Sequence, residues 1–444
     1  MLLGGRFLTE NILIQDGMII TMDKNRRIFE KGSVIIQGDK ILDIGKTDVI
    51  RKKYRVDQIV EGKNKAILPG LINTHHHPGL ITSTNFGLEK FVLEDFLNDI
   101  YYPILEVMTP EDAYWSAMLA YAQAIKGGVT CLNDMYCKTA ERAKAAEDIG
   151  IRAVLSSEVA DLVSGQETIN DNENAVIEKN GAASGRIKIW FGIEWIPVCS
   201  SELLIKTREL ADKYKTGIHL HLNESPYEVE FCKKKYGKRP TEHVHDLGLL
   251  GPDVVAAHSI WLSDKEMNLI KQTETNVAHC PAQNMKTGTG VAKVPELLSA
   301  GVNVGLGTDA YPDMLETLRC AKMMQHIEKL DATIMPTLEI FEMATINGAK
   351  ALGLNSEVGS LQVGKKADII IMNLNKLRFT PKSTPFKNKI NPLPLIFWCA
   401  NNSDIETVII DGKIIVQNGT LQIIDENLVM KKSNKTFQDL IGKI

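Results

Sequence analysis

Eight short β-rich runs separated by longer stretches with helical spacing constrain this chain more than any other feature. They fall at 66–73, 130–135, 152–159, 188–195, 217–222, 254–258, 276–280 and 302–309. Strands alternating with helices predict a parallel sheet with crossover connections, and eight is the number that closes such a sheet into a (β/α)8 barrel. The fold class is therefore α/β. Helical stretches such as 111–126 and 201–215 carry small residues at helical spacing, and Ala113, Ala117, Ala120 and Ala124 read as a face packed on the sheet.

Both chain ends alternate apolar and polar residues instead. Ile12–Gln15 and Ser33–Gln37 lead through a Gly38-Asp39 turn to Lys40–Ile44, a β meander, and 407–410, Asp411-Gly412 and 413–416 spell a second hairpin. The two ends are expected to build one small β-sandwich domain. This gives a sandwich part at 1–66, a metal-dependent barrel at 67–356, the rest of the sandwich at 357–425, and a Lys-rich tail at 426–444 read as a solvated helix or fray. A length of 444 residues suits one large barrel and a smaller partner domain.

Composition narrows the function classes. A net charge of -4 gives no basic field for nucleic acid, and no apolar run reaches membrane-spanning length. The seven cysteines lack CxxC or zinc-finger spacing, and Met1-Leu2-Leu3 soon meets Arg6, Glu10 and Asp16, so neither a disulfide framework nor a signal peptide is expected. A cytoplasmic protein acting on a small molecule, without membrane or nucleic-acid partners, is the expectation.

Metal-binding side chains gather where the inferred strands end, the catalytic face of such a barrel. In an extended chain alternate side chains point the same way, so His75 and His77 of Asn73-Thr74-His75-His76-His77 can share one ion while His76 faces elsewhere. The fifth run ends His219-Leu220-His221-Leu222-Asn223-Glu224. There His221 is read as the third ligand, His219 as a hydrogen-bonded support one layer deeper, and Glu224 as a carboxylate able to take and return a proton. His258 closes the sixth run, either as a functional tip or as a satisfied core histidine, and Asp309 ends the eighth.

These residues together resemble the amidohydrolase superfamily, in the branch holding methylthioadenosine/S-adenosylhomocysteine deaminase, guanine deaminase and the s-triazine hydrolases. The carriers are 69–77, Gly127-Gly128-Val129-Thr130, Asn133–Tyr136, Ile218–Glu224, Ala257-His258, His279-Cys280-Pro281-Ala282-Gln283-Asn284, Gly305–Asp309, Ala344–Ala349 and Gly359–Asp368. The resemblance implies metal ligands His75, His77, His221 and Asp309, a proton shuttle at Glu224, and His258 polarising the water or leaving group. Asp309 is expected to help manage protons. Where two-metal members carry a bridging lysine on the fourth strand, this chain has Lys188 at its start and Glu194 at its tip, which implies one divalent ion, zinc or iron. Homo-oligomers are common in the family, so one is expected.

Substrate contacts depart from that branch. Its strand-three arginine and strand-four histidine align with Ser157 and Glu194, and the segment after the ligand aspartate is shortened to Ala310-Tyr311-Pro312-Asp313-Met314. Glu106 matches the residue that grips ribose hydroxyls, or is a surface acid. Trp195 could line the cavity, while His279 and Asn284 either orient substrate or fix their loop. Glu194, with Glu158 nearby, suits a ring bearing donors, so the expected reaction is release of ammonia from a compact cyclic amidine, creatinine-like or pterin-like, or from an aminopurine. The alternatives are a methylthioadenosine/S-adenosylhomocysteine deaminase, a triazine or cyclic amide hydrolase, and a non-enzymatic scaffold, against which the intact ligand set speaks.

Overall fold

The structure is a computed structural model and describes residues 10–79, 91–381 and 391–443. The opening Met1-Leu2-Leu3 therefore lies outside the described residues. Two sheets organise the chain. The end segments supply β1 (Asn11–Ile20), β2 (Ile28–Gln37), β3 (Lys40–Gly45), β4 (Gln58–Glu61) and β5 (Lys65–Pro69). The barrel follows as β6 (Leu71–His76), β7 (Val129–Tyr136), β8 (Arg152–Ser157), β9 (Ile187–Trp195), β10 (Ile218–Leu222), β11 (Val254–His258), β12 (Asn276–His279) and β13 (Val304–Leu306). The chain then returns to the first sheet with β14 (Ile369–Asn373), β15 (Ile405–Ile410), β16 (Lys413–Gln417) and β17 (Thr420–Leu421).

The barrel strands pair in parallel in chain order from β6 to β13. Closure comes from the tips: Thr308 and Asp309 N–H donate to the His75 carbonyl at 3.0 and 2.8 Å, and His77 N–H donates to the Asp309 carbonyl at 3.3 Å. The first and last strands thus meet through the residues that carry the chemistry. Gly307 permits this approach, since a Cβ there would lie 2.8 Å from the His75 Cβ and 2.9 Å from Cys280 Sγ.

The end strands form one continuous nine-stranded mixed sheet in which β5 links the two halves, pairing with β1 and β14. Its alternating residues share one apolar core, with Ile14, Val34, Ile67, Ile369 and Ile409 all buried. The run 66–73 therefore splits between two sheets: 66–69 belongs to the end sheet and only 71–73 to the barrel. Gly70 makes the break, its N–H donating to the Asp368 carbonyl and its missing Cβ leaving room for Thr130. Periodicity could not reveal this, because both halves are apolar and fully buried. Arg152 clamps barrel to sheet from β8, bonding Asp368 through Nε and Nη2 at 2.9 and 3.0 Å and Asp411 at 3.0 Å.

The tail is not merely solvated. Glu426–Ile441 is a helix whose Val429 and Leu440 are buried and whose Ser433 hydroxyl donates to the Trp115 carbonyl on the helix Pro110–Lys126. All seven cysteines are free thiols, and among the described residues no helix is long and apolar enough to cross a membrane.

Candidate metal and catalytic centre

Five histidines from three strand ends converge on one point. The His75 ring centroid lies 4.7 Å from that of His77, 4.9 Å from His219, 4.8 Å from His221 and 5.1 Å from His258. Alternation along β6 and β10 produces this: His75 with His77, and His219 with His221, share a face. His76, between the ligands, points away towards Tyr121.

Hydrogen bonds at the back of each ring set its tautomer. His77 Nδ1 donates to the Met135 carbonyl at 2.6 Å, and His221 Nδ1 donates to the Glu194 carbonyl. With both Nδ1 atoms protonated, the neutral rings present Nε2 lone pairs, and these face each other 3.0 Å apart. Two lone pairs at that distance repel unless a cation sits between them. Burial holds His77 down at about 3 and pushes His221 well below the ordinary imidazole range, so a proton is a poor candidate near neutral pH. His75 Nε2 is buried with no partner in the protein, while its Nδ1 bonds His219 Nε2 at 2.8 Å.

The ligand atoms of His75, His77 and His221 lie within 4.8 Å of one another, and Asp309 oxygens stand 3.9 Å from the Nε2 atoms of His75 and His77. Tetrahedral ligands at about 2.0–2.1 Å from zinc sit roughly 3.3 Å apart, so small adjustments complete this three-nitrogen, one-oxygen set. The residues fit a single divalent ion.

A second cluster adjoins it. Glu224, His258 and Asp309 place polar atoms within 4.8 Å of one another, with His258 Nε2 at 3.6 Å from Glu224 Oε1 and 3.4 Å from Asp309 Oδ2. Burial, and next the Asp309 charge, raise the Glu224 carboxyl well above the usual carboxylate range. Behind it Asn284 Oδ1 accepts from His258 Nδ1 at 2.9 Å, leaving Nε2 free to face the cavity.

The cavity in front is lined by His77, Phe96, Tyr101, Glu158, Glu194 and Trp195, among others, together with Glu224 and Asp309. Glu194 and Trp195 therefore stand where expected. Glu106 does not: it is exposed on the helix Tyr102–Val107 and is not among the lining residues. Asn284 backs His258 rather than lining the cavity, and His279 is wholly buried with both ring nitrogens unpartnered.

Three contributors escaped sequence reasoning. Tyr101 donates to both Glu158 oxygens at 3.0 and 2.9 Å, and Tyr102 donates to Glu194 Oε1 at 2.9 Å. No spacing signal marks either tyrosine. Glu228 accepts from Asn223 N–H, Glu224 N–H and Trp195 Nε1 at 3.0, 2.8 and 3.0 Å, so it holds the Asn223-Glu224 segment in place. Ser225-Pro226-Tyr227-Glu228, a helix-start spacing, could have drawn attention to it.

Residues 66–415 match the family model described as Amidohydrolase family. A 5'-deoxyadenosine deaminase of Methanobrevibacter smithii is 38% identical over 98% of this chain and 99% of its own. A 5-methylthioadenosine/S-adenosylhomocysteine deaminase of Syntrophomonas wolfei is 35% identical over 97% of this chain and 100% of its own. In fold, the chain superimposes on the crystal structure of a zinc-bound adenosine deaminase of Xanthomonas campestris with a TM-score of 0.89, at 24% identity and covering 98% and 99% of the two chains. With the family model spanning most of its length and full-length relatives above one-third identity, this chain belongs to the Amidohydrolase family.

Proposed function

We propose that this chain is a metal-dependent aminohydrolase that releases ammonia from an amino- or imino-substituted nitrogen heterocycle. One observation carries it: Glu224, His258 and Asp309 converge beside a cup in which ring nitrogens of three histidines lie within 4.8 Å of one another. His75, His77, His221 and Asp309 would hold one divalent ion, zinc or iron. When bound, that ion supplies the Lewis acidity that makes water nucleophilic near neutral pH.

The remaining work belongs to the side chains. Glu224, its carboxyl raised by burial, takes a proton from the attacking water and delivers one to the departing nitrogen. His258 presents Nε2 to the same space and stabilises charge developing on the ring, held in orientation by Asn284. Phe96 and Trp195 offer flat apolar faces to a planar ring.

The named activities of the relatives make 5'-deoxyadenosine and methylthioadenosine the leading substrates. A second reading, a compact cyclic amidine of creatinine or pterin type, is favoured by Glu158 and Glu194 on the cavity wall. The test is an ammonia-release screen of metal-loaded protein across these nucleosides, aminopurines, pyrimidines, pterins, triazines and creatinine-like rings. Ammonia from at least one, lost on chelation and restored by zinc or iron, is expected. Fully metal-loaded protein that deaminates none of them overturns the proposal.

A further inference from the structure

Deamination as derived above uses Glu224 and Asp309 and leaves two other carboxylates in the same cavity without a task. Glu158 follows the tip of β8 and Glu194 lies near the end of β9, and both side chains are buried. Each accepts from one tyrosine hydroxyl, and Glu158 Oε1 also lies 3.6 Å from His77 Nδ1. Glu158 uses both oxygens on Tyr101, whereas Glu194 places Oε1 on Tyr102 and leaves Oε2 buried with no partner in the protein.

A carboxylate kept only for packing would have its oxygens matched, because a buried acceptor without a donor is costly. Nor does the protein balance the charge. Glu158, Glu194, Glu224 and Asp309 share one cavity, and no lysine or arginine lines it among the described residues. The four carboxyl groups crowd one cavity with no basic side chain among them, which leaves room for a positive partner. The spare oxygen of Glu194 also marks where that partner's N–H would dock.

We propose that Glu158 and Glu194 form a subsite for a positively charged, N–H-bearing edge of the substrate, so that the preferred heterocycle is of amidinium or guanidinium type. This rests on the aminohydrolase reading and adds the class of ring it acts on. A carboxylate pair recognises such an edge through charge-assisted hydrogen bonds, and a neutral ring that presents acceptors there meets repulsion.

The test uses the metal-loaded full chain. Wild type, Glu158→Gln and Glu194→Gln are compared for kcat and KM on cyclic guanidines and on neutral 5'-deoxyadenosine, with metal content and circular dichroism measured for each variant. The expected result is a wild-type preference for the cyclic guanidine, and in the variants a loss of about 10- to 100-fold in kcat/KM for it, mostly in KM. The loss on the neutral nucleoside should be at least about tenfold smaller than the loss on the cyclic guanidine. Equal losses on both substrates, or wild-type turnover of the nucleoside with every cyclic guanidine ignored, overturns the subsite.

Calorimetry separates this from failure of the parent reading. A guanidinium-bearing ring that binds wild type, binds Glu194→Gln at least about tenfold more weakly, and is never turned over supports the subsite while removing deamination. Should either variant fail to fold, inhibition of wild type by charged rings against their neutral oxo isosteres decides, with equal potency refuting the proposal.

Discussion

Replacing His219 with phenylalanine separates the support of the metal cup from the ligands themselves. His219 is fully buried on β10, and its Nε2 lies 2.8 Å from His75 Nδ1. With His75 Nε2 turned to a cation, Nδ1 keeps the ring proton and donates it to His219. Phenylalanine fills a similar space, so the loss is one of chemistry: a buried N–H faces an apolar ring, at a cost of about 1–3 kcal/mol. The free protein can relieve that cost by moving the proton to Nε2, but this removes the lone pair that binds metal. The penalty therefore falls on affinity. At roughly 1.4 kcal/mol per factor of ten it amounts to about 5- to 150-fold, in line with the 10- to 100-fold that partners of ligating histidines commonly contribute. His219→Gln restores an acceptor and should stay within about fivefold of wild type. Competition for zinc against a chromophoric chelator reads the affinity, and thermal melting reads the fold. Wild-type zinc affinity in a folded H219F protein would falsify the tautomer account.

Glu224→Gln should retain one metal per chain and lose about 10²- to 10⁴-fold in kcat, measured as ammonia release alongside elemental analysis; loss of metal would place Glu224 among the ligands. Asn284→Leu frees His258 to rotate and should lower kcat by about tenfold with KM little changed, so a pure KM effect would make Asn284 a substrate contact. Arg152→Met strands the buried Asp368, while Asp411 keeps Lys366 Nζ at 3.2 Å, and should destabilise the fold by about 3–5 kcal/mol in urea titration, since a buried carboxylate loses its cation. Burial depresses the His77 pKa to about 3, so the unfolded chain binds protons that the folded chain refuses between the ordinary 6.5 and about 3. His77 alone should therefore lower the stability of the metal-free protein by about 1.4 kcal/mol per pH unit as pH drops through that window, read as the difference between wild type and His77→Phe, and urea midpoints that run parallel for the two would show His77 to be solvated.

The barrel was legible because its strands are short, apolar and separated by helix-length stretches, and because polar residues end them. The histidine cluster was legible because a period of two places His75 with His77 and His219 with His221, whatever the rest of the chain does. Alternation could not say where the run 66–73 changes sheet, since that depends on Pro69 and Gly70 meeting Thr130 and Asp368 from distant segments. Similarly, Glu106 was matched by its neighbours in sequence, but the turn of its helix exposes it and sends Tyr101 and Tyr102 to the cavity carboxylates instead. The tail is a helix, one of the two forms its sequence suggested, but its buried stripe was hidden for a related reason. Its Lys431 and Lys435 are exposed, but Val429, Ser433 and Leu440 are buried, and Ser433 bonds Trp115 on a helix about three hundred residues away.

The strand tips show why so few residue types recur at such a site. Asn223, His258 and Asp309 follow or end β10, β11 and β13 with φ of 53°, 68° and 55°, in the left-handed region where most side chains are strained. Glycine would relieve that strain of about 1–3 kcal/mol, yet none of the three positions carries it. Asparagine, aspartate and histidine are the side chains that best tolerate this conformation, and they are also those that ligate metal, move protons or brace a loop. Asn223 does the bracing, accepting from Thr241 at 2.6 Å and donating to Glu266 at 3.0 Å. Backbone tolerance and site chemistry thus select the same short list of residues where the strands end. An apolar substitution at any of these tips pays twice, in strain and in lost function, whereas glycine at Asp309 would relax the backbone while removing the oxygen proposed to complete the metal cup.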